Sequence, residues 1–125
     1  MTAQNNLFLW IAVAMFVITI VTGVWSGRIG VPYPVALMTV HKLIGIGTAV
    51  FAGLFLFPLL RQISAPVLAI ALIVLAAAAI IGLTATGGIM SAGKSLAFLR
   101  IIHIAATAVF AISAGGAIIM LIGKT

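Results

Sequence analysis

Leu37-Met38-Thr39-Val40-His41-Lys42-Leu43-Ile44-Gly45 places an imidazole near the start of an otherwise apolar run that continues to about Leu60. As a helix at 1.5 Å per residue, such a run is long enough to cross the ~30 Å hydrocarbon core of a bilayer. The only other histidine, His103, stands in Leu99-Arg100-Ile101-Ile102-His103-Ile104-Ala105-Ala106-Thr107, near the start of a second run of the same kind. A titratable group inside a membrane span calls for a partner or a function.

Composition supports the membrane reading. The chain has 125 residues, 66% of them hydrophobic, with a mean hydropathy of +1.49, so it cannot clothe a soluble domain in polar side chains. Six Lys and Arg residues face no Asp or Glu at all. They are scattered at the edges of apolar runs rather than gathered on one face, which argues against nucleic acid and for anchoring at lipid headgroups. The same excess also suits an anionic guest. Having no cysteine excludes disulfides, thiolate metal sites, iron–sulfur clusters and covalently attached haem. Without carboxylates there is no acidic metal cage, no paired-carboxylate hydrolysis and no intramembrane carboxylate of the kind that proton-coupled exporters need. No Lys or Arg precedes the first apolar run, so that run reads as a retained span and not as a cleaved signal peptide.

Four spans are expected, at about 7–25, 35–60, 65–86 and 95–122, in a single integral membrane domain covering 1–125. Trp10 and Trp25 mark the two ends of the first. Pro34 opens the second, and Pro58 is expected to kink or terminate it. Arg61-Gln62-Ile63-Ser64 is a tight turn, with Ser64 and Pro66 as cap and first turn of the third span. Gly87-Gly88 reads as that span's stop signal. Short connections predict an all-α, four-transmembrane-helix bundle running up-down-up-down. The two halves of the chain share a weak pattern, in which a plain span precedes one with a histidine near its start and a basic residue beside it.

In that arrangement spans two and four are parallel and diagonal. His41 lies twenty residues before Arg61 and His103 twenty-one before Lys124, which predicts equal depth to within about 2 Å. Diagonal axes ~12–14 Å apart suit one iron with an imidazole on each side. Two histidines are too few for zinc, which wants three or four protein ligands, but enough for the axial positions of one haem b. His41 and His103 are therefore the expected ligands, with Met38 or Met90 as the alternative axial donor. Gly45 and Thr48 follow His41 on its helix face, as Ala106 and Thr107 follow His103. With Gly82, Ala78, Ala79, Ala85, Thr19 and Gly23, they are the small positions expected to admit the macrocycle. Arg100, one turn before His103, is the first choice for a propionate partner, with Lys42, Lys94 and Arg28 at the same end. Ser26, Tyr33, Thr84, Thr86, Ser91 and Ser95 concentrate there too. Each ligand should donate its other ring N–H to an acceptor, expected one turn back at the Leu37 and Leu99 carbonyls.

His41-Lys42-Leu43-Ile44-Gly45 together with Leu99-Arg100-Ile101-Ile102-His103 resembles the small four-helix bis-histidine membrane cytochromes b. These include the cytochrome b561-type and quinol-linked anchor subunits, and short bacterial four-span proteins of the same plan. The resemblance spans the whole chain as an architecture, and its specific content is these two stretches. It implies axial ligation by His41 and His103, single-electron transfer to or from a quinone or a partner redox subunit, and residence in a bacterial inner membrane. Many such proteins carry four or more histidines and two haems, whereas this chain has histidines for one. Six-coordinate ligation leaves no position for oxygen, so electron transfer rather than stand-alone catalysis is expected. With no carboxylate to relay a quinone's protons, Tyr33, Thr86, Lys94, water or a partner subunit must serve. The bias of Arg28, Lys42, Lys94 and Arg100 over Arg61 and Lys124 puts the histidine side in the cytoplasm. The rival reading is a haem-free structural or assembly subunit of a larger membrane complex, joined through small-residue faces.

Overall fold

The computed structural model describes residues 3–62, 64–94 and 97–124, with only the backbone described at Gln62; Ile63 of the expected turn and Ser95 lie outside this set. Among the described residues the protein is all-α. Four helices follow one another: α1 (Ala3–Ile29), α2 (Val35–Gln62), α3 (Val67–Ser91) and α4 (Ala97–Ile122). All four are long and apolar enough to cross a membrane. Their outward surfaces carry large apolar side chains, among them Trp10, Trp25, Val74, Ile81, Ile112 and Ile119, all exposed as lipid-facing residues must be. The chain is built as an integral membrane protein.

The helices overrun several expected ends. Gly87-Gly88 does not stop α3, which continues to Ser91. In hydrocarbon each unpaired backbone group costs several kcal/mol, so glycine stays helical where in water it would punctuate. The chain leaves α3 only at Gly93, at φ +88°, where the Gly93 N–H meets the Met90 carbonyl at 3.2 Å. Gly30, at φ +82°, closes α1 in the same way, donating to the Ser26 carbonyl at 3.1 Å. Pro58 does not end α2, which runs through it to Gln62. Pro66, in extended conformation, is the N-cap of α3, a place given in sequence to Ser64, and its carbonyl accepts from the Ile70 N–H at 3.2 Å.

The chain divides into two compact units, Met1–Pro58 and Leu59–Thr125, with the boundary inside α2. In the first, α1 and α2 form an antiparallel hairpin. Phe8 stacks obliquely on Phe51 with ring centroids 6.0 Å apart, Gly47 lies against Met15, and Gly45 faces the Thr19 methyl. His41, Thr48 and Phe55 recur at heptad spacing on α2, and Thr48 and Phe55 are buried. In the second unit, α3 and α4 form another antiparallel hairpin: Gly87 meets His103 at one end and Gly116 meets Leu72 at the other. Phe110, Ala114, Ala117 and Leu121 are buried on α4, and Ala69, Ala76, Ala79 and Thr86 on α3. In lipid the hydrophobic effect no longer drives helices together. Close approach over small residues does so through dispersion, and these alanines allow it.

Candidate functional site

Each histidine is the seventh residue of its helix, counting from Val35 in α2 and from Ala97 in α4. At 1.5 Å per residue each is about 9 Å in from its helix start. Both rings are half-buried, and both lean across their own hairpin onto the preceding helix.

In the first hairpin the His41 Nδ1 lies 3.0 Å from the Thr19 carbonyl oxygen and 3.1 Å from the Thr22 Oγ1. A carbonyl can only accept, so Nδ1 carries the proton, and in the neutral ring the lone pair sits on Nε2. Thr22 agrees with this assignment. Its single hydroxyl proton has acceptors in its own helix, the Ile18 carbonyl at 2.8 Å and the Thr19 carbonyl at 3.0 Å. Its oxygen is then left to accept from the ring. Gly23 provides the seat, because a Cβ there would stand 2.9 Å from the His41 Cε1.

The second hairpin repeats the arrangement. The His103 Nδ1 is 2.8 Å from the Thr86 Oγ1, whose own proton is taken by the Gly82 carbonyl at 2.7 Å. With that proton on the Gly82 carbonyl, the Thr86 oxygen is placed to accept from Nδ1, the arrangement in which Nε2 holds the lone pair. Gly87 is the seat, with a virtual Cβ 3.3 Å from the His103 Cε1. Thr22 and Thr86 are buried, at 8% and 7% exposure, so these hydroxyls turn inward to the rings.

The acceptors expected one turn back, at the Leu37 and Leu99 carbonyls, are replaced by groups on the neighbouring helix. Within α2 and α4 those carbonyls serve the backbone N–H four residues on, at His41 and His103 themselves, while the side chains cross to α1 and α3. Of the expected small positions, Gly23 seats a ring, and Gly45 supports the α1–α2 approach with its virtual Cβ 3.6 Å from Thr19. Gly82 faces open space and accepts the Thr86 hydroxyl. Thr107, half-buried, returns its hydroxyl to the His103 carbonyl at 2.9 Å. The cations fall at the histidine end of each hairpin taken alone. Arg28 is in the last turn of α1 and Lys42 beside His41; Lys94 follows α3 and Arg100 is three residues before His103. All four are exposed.

The sequence reading does not single out Thr22, takes Gly87 only as part of a stop signal, and takes Thr86 as a polar residue and a candidate proton relay rather than as a partner of His103. The available signal was the dipeptide Thr-Gly, at 22–23 and again at 86–87, near the end of each odd-numbered helix. No family model, curated protein or solved structure matches the chain.

Proposed function

We propose that the protein is a membrane b-type cytochrome that binds one haem b through His41 and His103 and passes single electrons, exchanging them with a quinone or a partner redox subunit in a bacterial inner membrane. The observation that carries this reading is the tautomer. At His41 the Thr19 carbonyl keeps the proton on Nδ1 and leaves Nε2 as the donor nitrogen, and at His103 the Thr86 hydroxyl meets the same ring atom, so the reading takes Nε2 as the donor there too. Axial ligation of haem iron asks for that state. The donor set fits too, since two neutral nitrogens with no thiolate or carboxylate suit haem and little else.

Haem bound there supplies a ferric/ferrous couple. The chain's own residues do the rest. Thr22, Thr86 and the Thr19 carbonyl hold the ligand rings in one tautomer. Arg100, Lys42, Lys94 and Arg28 offer charge-assisted partners to propionates at the membrane edge. The apolar helix surfaces keep bulk water from the rings.

A second reading has an observation of its own. In each hairpin the histidine is also packed against a glycine and hydrogen-bonded to a buried threonine, which serves a haem-free scaffold equally well. Alanine variants separate the two. H41A and H103A purified in detergent should each lose the bis-histidine absorbance of the parent protein. Retention of that full spectrum in either variant contradicts the haem reading, and loss of folding with no haem in the parent favours the scaffold.

A further inference from the structure

We infer that Thr22-Gly23 and Thr86-Gly87 are positioning residues, a clamp present twice in the chain, each copy fixing the tautomer and seat of one imidazole so that Nε2 is the donor atom of both. The residue order is the same in the two hairpins. A threonine and then a glycine stand near the end of the first helix, and a histidine is the seventh residue of the second. The atoms match as well. In each hairpin the threonine hydroxyl gives its proton to the carbonyl four residues back, of Ile18 or of Gly82, and its oxygen meets Nδ1. In each, the glycine leaves the space in which a Cβ would crowd Cε1. The clamp thus takes hold of the Nδ1–Cε1 edge of both rings. The repeat also gives physical content to the weak symmetry of the sequence: the shared unit is a helical hairpin carrying one clamped histidine.

The inference deepens the haem reading, but its first test does not depend on it. In haem-free protein labelled with ¹⁵N-histidine and held in detergent micelles, both side chains should show a protonated Nδ1 and an unprotonated Nε2. T86V should move His103, and not His41, toward a mixture of tautomers. T22V should move His41 in the same direction but less far, because the Thr19 carbonyl remains. T22S and T86S should restore the parent signals. G23A should displace the His41 ring, with a larger change than G87A makes at His103, following the tighter 2.9 Å and 3.3 Å approaches. Far-UV circular dichroism and a single elution peak establish that each variant is folded, and the serine variants serve where a valine variant is not. Unchanged tautomers in T86V together with an unmoved ring in G23A overturn the clamp, as do parent histidines protonated on Nε2.

The second test uses haem added to the same proteins. G23A and T86V should lower haem affinity roughly tenfold or more, the usual cost of losing a group that orients a ligand. A parent that takes up no haem contradicts the proposed function and leaves the tautomer result to decide the clamp. A parent that binds haem, with variants that bind it equally well and with the same spectrum, contradicts the clamp and leaves the proposed function standing.

Discussion

At the scale of single residues, the carbonyl at 3.0 Å dictates which nitrogen of the His41 ring keeps its proton. Two close glycine contacts in the same hairpin give a contrast that can be measured. A Cβ at Gly47 would meet the end of Met15, a flexible thioether that can swing aside. A Cβ at Gly23 would meet a ring held at Nδ1 on two sides. G47A should therefore leave the melting temperature in detergent nearly unchanged, while G23A lowers it; equal effects would show that the ring is not held. The sequence displayed the histidines, Thr19 and Gly23, but not the hydrogen bonds that join them. Thr22 was invisible for a physical reason. Threonines in helices usually bond back to their own carbonyls, as the exposed Thr39 and Thr84 do at 2.9 Å, and nothing local marks the one whose oxygen also serves a neighbour.

At the scale of helices, each hairpin closes over small side chains, and volume is the sensitive variable. Ala117 is fully buried in α4. A117L should destabilise the protein by about 1–3 kcal/mol through overpacking, read from unfolding by denaturant in detergent, whereas I119L on the exposed face of α4 should cost less than about 0.5 kcal/mol. Equal costs would mean that the buried stripe is not a packing seam. The number of helices and the antiparallel pairing within each hairpin were legible, because apolar length and short turns determine them. Several helix ends were not. Gly87-Gly88 and Pro58 carry stop signals calibrated on chains that can hand a broken backbone bond to water, and within a bilayer that exchange is missing.

At the scale of the whole chain, the charge is wholly positive, and four of its six cations sit at the histidine ends of their hairpins. If those cations hold propionates, R100Q should weaken haem binding while leaving the bis-histidine bands in place. K124Q, at the far end of α4, should change neither. An R100Q protein with parent affinity would assign Arg100 to lipid headgroups instead. That two histidines in so apolar a chain need partners could be argued from composition alone, but the groups that meet them, the Thr19 carbonyl and the Thr22 and Thr86 hydroxyls, lie on neighbouring helices and only the fold brings them together. The most direct measurement is the absorption spectrum of the detergent-purified parent protein after haem addition, taken oxidised and then reduced with dithionite, with haem counted per chain. The account predicts one haem per chain and the sharp reduced bands of a low-spin, bis-imidazole iron that do not shift under carbon monoxide. A colourless protein that takes up no haem, or a high-spin haem that binds carbon monoxide readily, would contradict it.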